Sequence, residues 1–83
     1  MTTNIYAGNL PFDMTNDRLR DLFAEHGDVQ KASVIMDRET GQSRGFGFVE
    51  MSDASAATTA IEALDNADVA GRRLKVNLAK PRR

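Results

Sequence analysis

The stretch RGFGFVEM, residues 44–51, sets two phenylalanines one residue apart between glycines, with Arg44 ahead of them and Glu50 behind. In a strand, successive side chains alternate between the two faces. Arg44, Phe46, Phe48 and Glu50 then share one face, and Gly45, Gly47, Val49 and Met51 share the other. Burying the first face suits phenylalanine, which is usually buried. It also buries Arg44 and Glu50, at several kcal/mol each unless both are paired. The opposite phase buries Val49 and Met51, keeps both charges in water, and puts glycines where a helix could pack closely. That phase is favoured, with Phe46 and Phe48 on an open face.

The segments on either side supply the rest of the sheet. NIYAGNL is short and β-prone and reads as a strand over about 4–9. With Ile5 and Ala7 inward, Tyr6 turns outward. TNDRLRDLFAEHG reads as a helix over about 16–26, with Thr15 as N-cap, Asp17 in the first turn, an apolar stripe of Leu19, Leu22 and Phe23, and Gly27 as the stop. VQKASVIM opens a second strand, about 29–37, and DRETGQS connects it to the strand at 44–51. A second helix, about 54–64, follows Asp53 as N-cap and carries Ala57, Ala60, Ile61 and Leu64 inward. DNADVAGRR reads as a loop turning at Gly71. RLKVNLA reads as a last strand, about 73–79, alternating Leu74, Val76 and Leu78 against Arg73, Lys75 and Asn77.

The order β-α-β-β-α-β implies an α+β, ferredoxin-like βαββαβ sandwich, with a four-stranded antiparallel sheet and both helices on one face. Right-handed crossovers place the first and third strands side by side in the centre. Tyr6, Phe46 and Phe48 then cluster on the uncovered face, three of the chain's five aromatics. Flat aromatics on an open sheet, edged by Arg44 and Lys75, suit the stacking of unpaired bases.

Composition sets the frame. Eighty-three residues with 41% hydrophobic content make one domain, 1–83, with a core over about 3–80 and a basic tail at 81–83. Without cysteine there is neither a disulfide nor a thiolate metal site. No apolar run reaches the roughly 20 residues of a membrane span. No basic N-terminal region leads into an apolar stretch, so the expected location is the cytoplasm. The net charge of −1 does not suggest a polyanion partner, but the distribution is uneven. Residues 1–28 hold five acids and two bases, whereas residues 66–83 hold one acid and six bases. A basic end on a near-neutral domain is a local electrostatic footprint or a solvated tail.

Enzyme chemistry finds little to use. His26 is the sole histidine and falls at a helix end. No glycine-rich stretch ends in Gly-Lys-Ser/Thr, so there is no phosphate-cradling loop of that type. No cofactor or metal site is expected. Asp17, Asp21 and Glu25 recur at helical spacing, which leaves a protein-docking helix face as an alternative to a solvated acidic one. Met14, Met36 and Met51 read as packing residues.

The chain resembles the RNA recognition motif (RRM) family over nearly its whole length. Arg44, Gly45, Phe46, Gly47, Phe48 and Val49 match the longer family signature K/R-G-F/Y-G/A-F-V-x-F/Y, Glu50 fills its free position, and Met51 replaces the terminal aromatic. IYAGNL is similar to the shorter motif on the first strand, with Ala7 where a larger aliphatic is usual. The resemblance implies stacking of one base on Tyr6 and the next on Phe48, with Phe46 against the sugars and Arg44 on a phosphate. It implies side-chain and main-chain hydrogen bonds to base edges from Asn77, Ala79 and Lys80. Lys31, Arg38 and Arg73 are further candidates at the sheet edge and in the loops. The implied partner is two to four nucleotides of single-stranded RNA, with single-stranded DNA as an alternative, bound by a monomer that acts as an RNA-binding regulator or RNA chaperone. Compact relatives of this kind are bacterial or organellar.

Overall fold

In the computed structural model, residues 3–41 and 43–79 are described, except for the side chains of Ser43 and Arg44. Two helices are started by side-chain caps. Thr15 sits in extended backbone, and its hydroxyl accepts from the Arg18 N–H at 3.1 Å, opening α1 (Asn16–Ala24). Asp53 accepts from the Ser55 N–H at 3.1 Å, opening α2 (Ala54–Leu64). α1 ends at Ala24 with Glu25 as its cap, two residues short of the expected end. The turn has already tightened where His26 and Gly27 donate to the Phe23 and Ala24 carbonyls.

The strands are β1 (Thr3–Gly8), β2 (Val29–Met36), β3 (Ser43–Met51), β4 (Asp68–Val69), β5 (Arg72–Arg73) and β6 (Lys75–Leu78). Four of them form an antiparallel sheet in the order β2-β3-β1-β6, with β1 and β3 in the centre as the crossover rule requires. α1 packs on β2 and β3, and α2 packs on β6, β1 and β3. The core lies between the layers: Leu19 and Phe23 from α1, Ala57, Ala60 and Leu64 from α2, and Ile5, Ala7, Val49, Met51 and Val76 from the sheet. Burying each large side chain such as Phe23, Ile5 or Leu19 contributes about 1.5–3 kcal/mol. Gly47 makes the close approach possible on β3. A Cβ there would run into the Ser33 carbonyl oxygen and lie 3.1 Å from both Val34 Cα and Leu19 Cδ2.

Both edge strands are tied to helix ends. The Asn16 side chain accepts from the Val34 N–H on β2 at 2.7 Å, and Asp65 accepts from the Val76 N–H on β6 at 3.1 Å. These bonds occupy donors that would otherwise offer a pairing edge.

Three expectations need correction. The loop at 66–72 contains a hairpin: β4 and β5 pair across Ala70 and Gly71, whose φ values of 52° and 82° give the tight two-residue turn its required hand. The last strand is accordingly broken at Leu74 into β5 and β6. Regular alternation also fails at Gly45, where φ is 85° and the β2–β3 ladder shifts register between Val34 and Met36. A regular strand therefore does not relate Arg44 to Phe46. Finally, two residues expected to pack are exposed. Leu78 lies on the last strand of the sheet with 56% exposure, and Met36 ends the opposite edge at 52%.

Candidate nucleic-acid interface

The sheet face away from the helices carries Tyr6 from β1 and Phe46 and Phe48 from β3. Register brings them together, with Tyr6 opposite Phe48 and Gly8 opposite Phe46. The three ring centroids form a near-equilateral triangle with sides of 5.9, 6.0 and 6.1 Å. Phe46 and Phe48 meet edge to face at 88°, Tyr6 and Phe48 meet at 64°, and Tyr6 and Phe46 are tilted by 30°. Such tilted and edge-on pairs suit the aromatic quadrupole and add about 0.5–1.5 kcal/mol per pair beyond burial. The rings hold one another in place. Phe48 keeps 39% of its surface exposed, and Tyr6 and Phe46 are half-buried.

Tyr6 owes its position to a residue that alternation alone does not single out. Its ring lies back along β1 over Gly8, so that a Cβ on Gly8 would sit 2.5–2.9 Å from the Tyr6 hydroxyl and two ring carbons. Only a residue without a side chain gives the ring that floor.

Polar residues flank the rings. On β6, Lys75 stands opposite Gly8 and Asn77 opposite Tyr6, both exposed. On β2, Ser33 stands opposite Phe48, and exposed Lys31 stands opposite Glu50. Ala79 donates its N–H to the Asn4 carbonyl at 2.9 Å, so a main-chain contact from it to a base would have to use its carbonyl. Arg38 is exposed in the β2–β3 loop, which turns on Asp37, whose side chain accepts from Glu39 and whose carbonyl accepts from Gly41. The side chain of Arg44, and Lys80 with the basic tail 81–83, lie outside the described residues.

Past Gly8 the chain turns through Asn9, held in the left-handed region at φ 58°, which asparagine tolerates. Its side chain fastens the β4–β5 hairpin. Nδ2 donates to the Arg73 carbonyl at 2.6 Å, and Oδ1 accepts from Arg72 Nη2 at 2.8 Å. The Arg72 guanidinium lies 5.2 Å from the centroid of the Phe12 ring, within cation–π range. Arg72 Nε is buried with no hydrogen-bond partner, and Phe12 is 66% exposed. Arg73, expected on the last sheet strand, belongs to this hairpin instead.

Among the described residues, no three His, Asp or Glu side chains cluster closely enough to hold a metal ion. None of their helices is long and apolar enough to cross a membrane. On the helix side, Asp13, Asp21 and Glu25 rim a shallow groove floored by Met14, Leu22 and Val69, and Asp13 pairs with Arg18 at 3.6 Å. Both partners of that pair are well exposed, so it contributes little.

Comparison with known proteins identifies the arrangement. The family model described as the RNA recognition motif matches residues 5–75. The chain belongs to the RNA recognition motif family. RbpB of the cyanobacterium Nostoc sp. is 56% identical over 79 residues, which cover 95% of this chain and 77% of RbpB. The crystal structure of the RNA-binding protein PG1 is 48% identical, with a TM-score of 0.92 and 98% of both chains covered. The RRM of Rna15, solved with bound RNA (GU), is 28% identical, with a TM-score of 0.85, covering 94% of this chain and 83% of that one. Within the RRM, Tyr6, Phe46 and Phe48 occupy the two family motifs on neighbouring central strands, and Met51, in place of the motif's last aromatic, is fully buried in the core. Sequence reasoning passed over Gly8, Asn9, Phe12 and Arg72. The signals present were a glycine two residues after the outward tyrosine and an aromatic straight after a turn proline.

Proposed function

We propose that this chain binds short single-stranded RNA without catalysing a reaction, as a single RRM unit acting as a monomer in the cytoplasm, in the role of an RNA-binding regulator or chaperone. The observation that carries this reading is the triangle of exposed and half-exposed rings on an otherwise helix-free sheet face. One base stacks on Tyr6 and the next on Phe48, while Phe46 lies against the sugars. Lys75 and Arg44 meet phosphates, and Asn77, the Ala79 carbonyl and Lys80 read base edges. Lys31, Arg38 and Arg73 add charge at the periphery. Duplexes are excluded because the rings need an unpaired base face to cover. The RNA held by the Rna15 RRM supports RNA as the partner class.

Each stacked base contributes about 1–3 kcal/mol. Two bases and a few phosphates, set against the entropy of association, give a Kd on the order of micromolar. The test is a titration of labelled single-stranded RNA, matched DNA and duplex with native protein and with Phe46→Ala/Phe48→Ala at fixed salt, circular dichroism checking the fold. The expected result is binding of single-stranded RNA by native protein and none by the folded double variant. Equal binding by a folded double variant overturns the platform. Tighter binding of DNA than of RNA overturns RNA as the ligand.

A further inference from the structure

We propose that Glu50, with Lys31 beside it, forms a subsite that selects guanine among the bases of a bound single strand. The proposal rests on the single-strand binding reading above and gives it a base preference. Stacking accepts any base, because every base has a π face. Selection has to come from groups beside the rings that hydrogen-bond to base edges. Register sets these groups out in rows across the open face. The ring row runs Asn77, Tyr6, Phe48 and Ser33 over β6, β1, β3 and β2. The next row, towards the start of β1, runs Asn4, Glu50 and Lys31. Asn4 and Lys31 are exposed and Glu50 is half-buried. Glu50 follows Phe48 by two residues on the same face, about 7 Å along the strand, so the edge of a base lying over Phe48 reaches this row.

Among the described residues, Glu50 is the only carboxylate in the four strands of the sheet. A negative charge there repels the phosphates of any strand laid on the rings, a cost that a purely cationic rim avoids. What it offers in return is an acceptor for the donors of a base. A carboxylate has about four acceptor positions, so a protein neighbour does not exhaust it. Guanine presents two adjacent donors, N1–H and N2–H, next to the O6 acceptor. A carboxylate takes two parallel donors as a fork, as it takes arginine. The Lys31 ammonium, opposite Glu50 across the β2–β3 pair, then donates to O6. Directly opposed residues have Cβ atoms about 4.5–5.5 Å apart, close enough for both side chains to meet one base edge. Adenine and cytosine each offer one donor beside a ring nitrogen whose lone pair faces the second carboxylate oxygen. Uracil sets its one donor between two carbonyls.

The test titrates native protein and Glu50→Gln, at one fixed salt, against the labelled RNAs UUGUU, UUIUU, UUAUU and UUUUU. Here I is inosine, which lacks the N2 amine of guanosine. Native protein is expected to bind UUGUU about 5-fold or more tighter than UUAUU, the low end of one bidentate base contact, with UUIUU between them. Glu50→Gln should cut that preference to less than about 2-fold. It should also bind UUUUU more tightly than native protein does, because one negative charge has left the path of the phosphates. Its melting temperature by circular dichroism should match that of native protein. The subsite is overturned if native protein binds these RNAs with no preference for UUGUU over UUAUU, or if folded Glu50→Gln keeps the native preference. It is also overturned if Glu50→Gln weakens all four strands equally and melts early, which would make Glu50 a structural partner of its cross-strand neighbours. If native protein binds none of the four, the single-strand reading itself falls and the subsite with it.

Discussion

Gly8→Ala separates the platform from the fold. The added methyl would lie 2.5 Å from the Tyr6 hydroxyl and 2.8–2.9 Å from two ring carbons, well inside contact distance. All three atoms belong to one side chain that can swing about χ1, so the ring moves and the backbone does not. The stability terms nearly cancel. Replacing a strand glycine by alanine gains about 0.5–1 kcal/mol of backbone entropy. Displacing Tyr6 loses part of two aromatic contacts worth about 0.5–1.5 kcal/mol each. The net change is expected within about 1 kcal/mol, no more than roughly 4–8 °C in melting temperature for a domain of this size. Binding has no such compensation. A ring pushed off its floor no longer presents its face beside Phe48, and one stacked base is lost, about 1–3 kcal/mol or roughly 5- to 150-fold in Kd. Thermal melting by circular dichroism and fluorescence anisotropy with labelled single-stranded RNA measure the two quantities. Native affinity in a folded Gly8→Ala protein would refute the claim that Gly8 places Tyr6. A loss of more than about 10 °C would show that Gly8 serves the fold instead.

The other strand glycine should behave in the opposite way. Gly47→Ala drives a methyl into the Ser33 carbonyl and against Val34 Cα, backbone atoms that cannot swing aside, so it should destabilise by about 1–3 kcal/mol in denaturant melts, as overpacked cores do. Ala70→Asn should stabilise the hairpin by up to about 1 kcal/mol, because asparagine tolerates the positive φ that costs alanine roughly 1–2 kcal/mol; equilibrium melts would show a higher midpoint. Affinity for single-stranded RNA should fall with salt at a slope of about −0.7 per phosphate contacted. Lys75→Gln should reduce that slope by about one such step without changing the melt, read from titrations at several salt concentrations.

Most of the architecture was legible because its signals are local. Thr15 and Asp53 cap helices in sequence as they do in space, and the alternation of Ile5, Ala7, Val49 and Met51 against Tyr6, Phe46 and Phe48 fixes which sheet face meets the helices. What escaped depended on positive φ at residues that do not advertise it. Ala70 takes the first place of a two-residue turn usually held by asparagine, aspartate or glycine, so a hairpin looked like a loop. Gly45 looked like one more alternating position, yet its φ of 85° breaks the ladder before Phe46. Leu78 alternates like a core residue, but it lies on an edge strand and stays 56% exposed.

The arginine over Phe12 escaped for a different reason. Arg72 and Phe12 are 60 positions apart, and no periodicity links them; the contact exists because Asn9 leaves β1 in a left-handed turn and catches the hairpin on both Arg72 and Arg73. The same economy runs through the whole face. Tyr6 rests on Gly8, Phe46 and Phe48 rest on Tyr6 and on each other, and Phe12 rests under Arg72, so every ring is already positioned by a neighbour. Preorganisation of this kind lowers the ordering cost that a flexible surface would owe on binding. It would let so few stacked bases hold a single strand at the affinity proposed above, and it predicts that a variant which frees a platform ring weakens binding even when the ring itself is untouched. For Phe12 the variant that frees the ring is Asn9→Gly, which keeps the left-handed turn and removes both side-chain bonds to the hairpin. It should lower stability by about 1–3 kcal/mol in denaturant melts, and a native midpoint would show that the clamp does not hold the hairpin under the ring.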